Sequence, residues 1–372
     1  VYTYNDFVHR GINEGIQKPK KISKKKMPYL VTEYNGHMYP TKKFDDEFHR
    51  ENQVKRHLKV QNDSYAEKSN SGAIGWCMFD YNTHKDFGSG DRICYHGVMD
   101  MFRIPKDAAG VYASQGLEKP YLQVVSNLNI GEREASEIKE VFILSNVDYV
   151  KFYINDDYIG DFHPSDRYPA LPHPPIVVDD FIGNLIHDNE KFSDKDATKV
   201  KNILLHIMRY GMKLPLLKKI QMGLVLLKYK LSIDQAAKLY ETYVGKWGLE
   251  SLTYRFEGIK DQAVVVTETK GSSYESNLLI IKDDEELFET ETYETTRVVV
   301  KHLDHNGNSL LYSNEVLNVS VKGPLELIGP SSVSLIGGSI GLFFKTQGIK
   351  GKATITIKSN NFEDQKISIQ VK

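Results

Sequence analysis

Short apolar runs alternate with helix-like periodicity over residues 1–118. The run at 28–32 is followed by Asn35-Gly36, which predicts a buried strand with Glu33 as its last residue. A strand tail at 1–4 precedes it, and another strand is predicted over 71–79. Two helices are expected, over about 44–65 and from Pro105 to about Gln115. This order is typical of a β/α fold, in which residues at strand ends carry the chemistry.

From residue 119 onwards the pattern is mainly that of strands. Two β-sandwiches are predicted, over 119–272 and 273–372, from strand-like runs at 141–146, 150–154, 158–160, 252–256, 263–267, 296–303, 317–321, 353–357 and 367–371. Residues 193–247 have helical spacing instead, with helix-start signals at Ser193 and Ser232. We expect about three helices there, and a self-contained packing insert is favoured over a partner-docking module.

Composition and charge exclude several classes of partner. The formal net charge of -1 provides no overall attraction to nucleic acid or to anionic lipid. No apolar run reaches the roughly 18 residues of a membrane span. We therefore expect a soluble protein with no nucleic-acid and no membrane partner. No secretion signal is recognised, so the compartment stays open, with the cytoplasm as the working assumption.

Motifs for cofactors and metals are also missing from the sequence. Cys77 and Cys94 are interpreted as buried thiols because no disulfide framework or zinc spacing accompanies them. No phosphate loop, dinucleotide fingerprint, Ser-His-Asp order or His-Glu-x-x-His helix is present, so we expect no cofactor and no metal. The basic segment 18–26 and the acidic run 283–286 are interpreted as solvated segments rather than as phosphate and calcium sites.

Three sequence blocks occur in an informative order. They are Thr32-Glu33-Tyr34-Asn35-Gly36, Ile74-Gly75-Trp76, and Asp91-Arg92 through Gly97 to Arg103-Ile104-Pro105-Lys106. Together they resemble the last two β/α units of a family 2 glycoside hydrolase of the β-galactosidase kind. The resemblance covers roughly residues 1–118 and, more loosely, the β-rich remainder. It implies the C-terminal part of a (β/α)8 TIM barrel over 1–118, followed by two immunoglobulin-like β-sandwiches.

The resemblance gives Glu33 the role of catalytic nucleophile. Retaining glycoside hydrolysis needs two carboxyl groups about 5–5.5 Å apart, and Glu33 is one of them. In the resembled family, the acid/base glutamate follows an asparagine at the end of the fourth barrel strand. No Asn-Glu pair at a strand end precedes Glu33, since Asn13-Glu14 lies in a predicted loop. We therefore expect a fragment of a retaining β-galactosidase-like enzyme that hydrolyses almost nothing by itself.

Other residues are candidates for binding a carbohydrate substrate. Trp76 could form an apolar wall for a pyranose ring, with a core tryptophan as the alternative. By the resemblance, Tyr4 could hydrogen-bond Glu33, although Tyr2 is only two residues away. Asn82 and His84, beyond the strand predicted over 71–79, could contact sugar hydroxyls or could simply be solvated loop residues.

The block before Gly97 bears on the choice of sugar. Glucuronide-cleaving relatives have Asn-x-Lys there, whereas this chain has Cys94 and His96, so a glucuronide is disfavoured and a galactoside is favoured. His96 could bond a sugar hydroxyl or be a buried structural histidine. The alternative function is that of a non-catalytic carbohydrate-binding or structural β-sandwich protein with a barrel remnant. Unpaired strand edges of an incomplete barrel would favour self-association, swapping or disorder, so a homo-oligomer stays open.

Overall fold

A computed structural model describes residues 2–6, 15–25, 27–35, 39–86, 90–133, 137–245 and 252–372. These residues form a multidomain, β-rich fold. Backbone packing divides the chain into two compact units. The first comprises Val1–Tyr39, Asp46–Trp76 and Asp107–Ser272, and the second comprises Pro40–Asp45, Cys77–Lys106 and Ser273–Lys372. None of the helices in the described ranges has the length and apolar character of a membrane span.

The first unit begins with a parallel sheet and its helices. Its strands are β1 (Tyr2–Asp6), β2 (Tyr29–Tyr34) and β3 (Asn70–Gly75), in the spatial order β1-β2-β3. A short helix α1 (Pro19–Ile22) precedes β2, and α2 (Glu47–Ala66) connects β2 to β3. Asp46 caps α2 by accepting a hydrogen bond from the His49 backbone N–H, so the helix predicted over 44–65 is confirmed with a later start.

Two boundaries in this region differ from the sequence-based expectation. The strand predicted over 71–79 ends at Gly75, so Trp76 follows the strand. The helix predicted from Pro105 is α3 (Ala109–Gly116) and starts four residues later. Pro105 pairs with Met99 in an isolated β-bridge, and the Lys106 backbone N–H donates to the Val98 carbonyl. These backbone contacts hold residues 105 and 106 in extended structure and delay the helix.

The remainder of the first unit consists of two sheets and a helical insert. Before the insert come β6 (Leu122–Val124), a 3₁₀ turn (Ile130–Glu132), β7 (Val141–Ser145), β8 (Tyr149–Ile154), β9 (Asp157–Phe162) and β10 (Ile176–Val178). The insert contains α4 (Leu185–Asn189), α5 (Asp194–Tyr210), α6 (Leu216–Tyr229), α7 (Ile233–Tyr240) and a π-helical turn (Glu241–Gly245). Strands β11 (Thr253–Lys260) and β12 (Ala263–Gly271) follow it. The sheets have the orders β10-β7-β6 and β12-β11-β8-β9, and one apolar core joins them to the insert.

The helices predicted within 193–247 are confirmed. α5 begins after Ser193 and α7 after Ser232, as the start signals predicted. Ser232 and Gln235 form a reciprocal capping box. At α5 the arrangement differs, because the Ser193 hydroxyl donates to the Asp196 carboxylate instead of accepting a backbone N–H.

The second unit contains a short hairpin and two larger sheets. The hairpin pairs β4 (Tyr81–Asn82) with β5 (Ile93–Cys94). The larger sheets use β13 (Ser276–Lys282), β14 (Glu286–Leu287), β15 (Thr295–Asp304), β16 (Val316–Lys322), β17 (Leu325–Ile328), β18 (Ser332–Ser334), β19 (Ser339–Thr346), β20 (Gly351–Lys358) and β21 (Gln365–Val371). Their orders are β13-β15-β19-β17 and β14-β21-β20-β16-β18, and both sheets contribute to one apolar core. Alternate residues of β20, such as Ala353 and Ile355, face that core.

Candidate active site

Glu33 lies at the carboxyl edge of the parallel sheet. It is the second-to-last residue of β2, because the strand ends at Tyr34, one residue later than predicted from the sequence, and it is half-buried. β2 is the central strand, and its register places Glu33 beside Asn5 of β1. Because the three strands are parallel, their carboxyl ends meet at one edge of the sheet. Glu33, Trp76 and the end of β1 therefore share this edge.

Trp76 follows β3 at the same edge. Its backbone N–H donates to the Tyr34 carbonyl at 2.8 Å, which ties the first residue after β3 to the last residue of β2. Trp76 exposes 38% of its surface. An indole exposed to this extent can serve as an apolar platform for a ligand.

A buried group of polar side chains lies behind this edge. The Gln61 side-chain amide donates to the Tyr34 hydroxyl at 2.5 Å, and the Tyr34 hydroxyl is hydrogen-bonded to that of Tyr112. The Tyr112 hydroxyl is also 2.7 Å from Nδ1 of His57. These contacts join α2, β2 and α3, and burial raises the pKa of Tyr34 to about 12. Tyr34 is thus fixed by its carbonyl and its hydroxyl, which fixes the backbone beside Glu33.

Gly75 allows β3 to approach this group closely. A Cβ atom at position 75 would lie 3.2 Å from the Tyr112 hydroxyl and equally close to the Tyr34 ring. Such a distance is shorter than ordinary van der Waals contact between these atoms. The glycine of the Ile74-Gly75-Trp76 block therefore lets the two tyrosine hydroxyls pack beneath the strand that leads to Trp76.

β1 contributes Tyr4 and a carboxylate that the sequence analysis missed. The Tyr4 hydroxyl donates to the Asp6 carboxylate at 2.8 Å, and the Gln17 backbone N–H donates to the same oxygen at 2.7 Å. Burial, followed by this bond to Asp6, raises the pKa of Tyr4 above its usual value. Thr32 links the strands by donating to the Tyr4 carbonyl at 3.0 Å. Asp6 is almost fully buried at the end of β1, which extends two residues beyond the strand tail predicted over 1–4.

The other three predicted site residues belong to the second unit. Asn82 is exposed and pairs with Ile93 in the hairpin. His84 is also exposed, and its Nδ1 accepts from the Asp86 backbone N–H at 3.3 Å. His96, by contrast, is 6% exposed. Burial, followed by the nearby charge of Lys106, lowers the pKa of His96, so its imidazole is neutral near pH 7.

A buried ion pair holds the segment that carries His96. The Lys106 ammonium donates to Asp80 at 2.7 Å and to the Thr41 carbonyl at 2.6 Å. Asp80 also accepts from the Gly97 backbone N–H at 2.9 Å. Burial raises the pKa of Asp80 to about 6, although Lys106 opposes the shift. A Cβ at Gly97 would lie 2.3 Å from the Asp80 backbone nitrogen, so this position excludes a larger residue.

Metal ligands do not converge in the part of the chain that is described, where no group of three His, Cys, Asp or Glu side chains could hold an ion. Of the two cysteines, Cys94 is buried and Cys77 is half-buried, and both are free thiols. Asn13-Glu14 lies outside the described residues.

Comparison with known proteins identifies the family. No protein-family model matches the chain. A β-galactosidase of Thermoanaerobacterium thermosulfurigenes is 39% identical over 349 residues, which cover 91% of this chain and 40% of that protein. A β-galactosidase of Thermoanaerobacter pseudethanolicus is 31% identical over 377 residues, which cover 100% of this chain and 42% of that protein. A solved β-glucuronidase from glycoside hydrolase family 2 has a similar fold, with a TM-score of 0.55 at 16% identity over 93% of this chain and 32% of that one. The chain belongs to the β-galactosidase-like glycoside hydrolases of family 2.

This membership confirms the family assignment made from the three sequence blocks. The chain spans 40–42% of the length of the two curated β-galactosidases. The sequence nevertheless gave no indication of which residues contact those of the recognised blocks. Tyr34 meets Tyr112, and Lys106 meets Asp80, across 78 and 26 residues of sequence. Each pair includes one residue of the recognised blocks, Tyr34 or Lys106. Membership of a block was the only sequence signal that could have indicated these pairs.

Proposed function

We propose that this chain is the C-terminal, nucleophile-bearing portion of a retaining β-galactosidase that hydrolyses terminal β-D-galactosides. The observation that carries the proposal is the position of Glu33 at the carboxyl edge of a parallel sheet, with Trp76 at the same edge. In β/α barrels this edge carries the catalytic residues. Membership of the β-galactosidase-like hydrolases supports the same reaction class.

Glu33 would act as the nucleophile of a double displacement. Its carboxylate attacks the anomeric carbon while a second carboxylic acid protonates the leaving oxygen, so that a glycosyl-enzyme ester forms and the aglycone departs. The second group then takes a proton from a water molecule. The water oxygen attacks the anomeric carbon, so that the bond to Glu33 breaks and the sugar is released with retained configuration. The hydrogen bonds that fix Tyr34 would hold the neighbouring Glu33 in position for this attack.

The remaining predicted residues would bind the sugar. The exposed indole of Trp76 would lie against the apolar face of a galactose ring. Tyr4 would be close to Glu33, although its proton is donated to Asp6 in this structure. Asn82 and His84 are exposed and could bond hydroxyl groups. His96 replaces the lysine that the resemblance gives to glucuronide-cleaving relatives, which supports a neutral sugar over a glucuronide.

We also propose the finer architecture and the requirement for an upstream segment. The parallel sheet with α2 and α3 would be the last part of a (β/α)8 barrel, in residues 1–118. The later sheets would be two immunoglobulin-like sandwiches, over 119–272 and 273–372. A barrel of this kind needs eight strands, and three parallel strands are described here. The acid/base glutamate would lie upstream, so this chain alone would be inactive.

The test joins this chain to the upstream segment of the Thermoanaerobacterium thermosulfurigenes β-galactosidase and measures turnover of nitrophenyl β-galactoside. We expect activity from the joined protein and none from the isolated chain. Glu33→Gln should lower kcat by about 10⁴-fold or more, whereas Glu118→Gln, at an exposed position, should leave it unchanged. Azide should restore turnover of Glu33→Ala and give the α-galactosyl azide, because the added anion occupies the place of the missing carboxylate.

Two results would contradict the proposal. The first is Glu33-dependent activity of the isolated chain, which would refute the need for an upstream partner. The second is a joined protein that is active and insensitive to Glu33→Gln, which would remove the nucleophile assignment. If the joined protein does not fold, soaking crystals of the isolated chain with galactose is the second measurement. Sugar bound only on a sandwich sheet would then favour a non-catalytic binding protein.

A further inference from the structure

Helix α6 of the insert is apolar on two opposite faces. Its inner face includes Val225, which is 3% exposed, together with the partly buried Met222 and Tyr229, and it packs against the core of the first unit. Its outer face carries five large side chains that are 50–79% exposed, namely Leu216, Leu217, Ile220, Leu224 and Leu227. A surface helix normally has a polar outer face, and a helix that is apolar all round is normally buried. The outer face of α6 therefore requires a covering partner.

The spacing of these residues suits pairing with another helix. Leu217, Ile220, Leu224 and Leu227 are separated by three, four and three residues, which is the spacing of the inner positions of a coiled coil. This series is the same in both chain directions. A two-fold axis near Met222 would therefore place Leu217 opposite Leu227 and Ile220 opposite Leu224 of an antiparallel copy. Gly223 lies near that axis, and a Cβ there would meet no atom within 4 Å outside its own stretch of helix.

Two of the three lysines of α6 are engaged within the insert, which favours a protein partner over an anionic lipid surface. Lys218 donates to the Asn202 carbonyl at 2.9 Å, and Lys228 donates to the Asp196 carboxylate at 2.5 Å. Asp196 is almost fully buried and lies on α5, so both ammonium groups are directed to their own insert. Binding to anionic lipid would need these charges to face the membrane together with the leucines.

We propose that the outer stripe of α6 pairs antiparallel with the same stripe of a second copy, so that the chain forms a symmetric dimer. A two-fold dimer uses one self-complementary patch on both subunits, and the stripe meets this condition. A standard interface buries about 800 Å² on each partner. The five α6 residues, with Met212 at 72% and Ile233 at 83% exposure on either side of α6 in the sequence, provide apolar surface of that order.

The first experiment measures the mass of the isolated chain by sedimentation equilibrium across the micromolar range. We expect a dimer for the unmodified chain and a monomer for Leu224→Glu, because a carboxylate at the centre of the stripe would be buried without a partner. Ile349→Glu is the matched control, since Ile349 is 61% and Leu224 62% exposed, and it should remain dimeric. Circular dichroism of each variant establishes that the fold is retained.

A second experiment tests the orientation by disulfide cross-linking. The Leu217→Cys/Leu227→Cys variant should form a covalent dimer on oxidation, whereas Leu227→Cys alone should not, since position 227 faces position 217 of the other copy. The unmodified chain, with Cys77 and Cys94, gives the background. A monomer at all concentrations would overturn the proposal, as would a dimer that survives Leu224→Glu. Binding of a monomeric chain to anionic vesicles, lost in Leu224→Glu, would overturn it in favour of a lipid surface.

Discussion

The parallel sheet that carries Glu33 and the two sheets of residues 273–372 have cores of different kinds. The buried core residues of the parallel sheet are Tyr29, Val31, Tyr34 and Val60, so half of them are tyrosines with a polar group to satisfy. The core between the two C-terminal sheets contains sixteen buried residues, and all of them are aliphatic side chains or phenylalanine. The first core combines apolar side chains with buried hydrogen bonds, whereas the second is apolar throughout.

This difference bears on how each region is stabilised. An apolar core formed by two sheets gains stability in proportion to the area buried and needs no matched polar partners. In the parallel sheet, β1 and β3 are the outer strands among the described residues, and the Tyr34 hydroxyl depends on partners from α2 and α3. A small, partly polar core of this kind is expected where further strands of a longer protein complete the fold, as the proposed function requires.

The largest expected effect comes from removing a ring from the C-terminal core. Phe344→Ala, at a position with no exposed surface, should lower the free energy of unfolding by about 3–5 kcal/mol. Urea denaturation measures this loss for the whole chain, and hydrogen exchange measures it locally in β19 and β20. Phe288→Ala, at a position that is 59% exposed, is the control and should change it by less than about 0.5 kcal/mol. Equal effects of the two variants would show that apolar packing does not dominate this region.

Alkaline pH should destabilise the parallel sheet more than the C-terminal sheets, by a somewhat smaller free energy than the first prediction. Burial raises the pKa of Tyr34 from 10.0 to about 12, so the folded state retains a proton that the unfolded state loses. The stability from this group is complete below pH 10 and is lost as pH rises towards 12, by about 3 kcal/mol for two pKa units. The protection factors of the β2 amides, which are corrected for base-catalysed intrinsic exchange, should therefore fall over this window, while those of β20, whose core contains no tyrosine, should change less. Equal losses of protection in both strands would contradict the comparison.

The same contrast explains what the sequence could predict. The helices α5–α7 were predicted because apolar spacing is a local signal, and the C-terminal strands because alternation of apolar and polar residues is equally local. The strand predicted over 71–79 was too long because its apolar run continues past Gly75, where the chain leaves the sheet. The backbone beyond it pairs instead with a distant segment, since the Val98 N–H donates to the Cys77 carbonyl. Local pattern carries no information about such partners.

The candidate site was only partly predictable for a related reason. Glu33 and Trp76 belong to blocks that the family resemblance identified, and their shared edge follows from parallel strands. Asp6 and Tyr112 belong to no such block. Their contribution depends on hydrogen bonds formed only when separate elements pack together. A buried tyrosine and an exposed tyrosine have the same appearance in a sequence.

The smallest of these effects tests whether the hydroxyl group of one such tyrosine supports the edge that carries Glu33. Tyr112→Phe keeps the ring but removes the hydroxyl that contacts both Tyr34 and His57, which should cost about 1–3 kcal/mol because buried polar groups lose a partner. Hydrogen exchange in β2 and β3 is the measurement. Tyr65→Phe, on the exposed side of α2, is the control and should have almost no effect. If both variants leave exchange in β2 unchanged, the hydrogen bonds behind Glu33 do not hold that edge, and the region depends on apolar packing as the C-terminal sheets do.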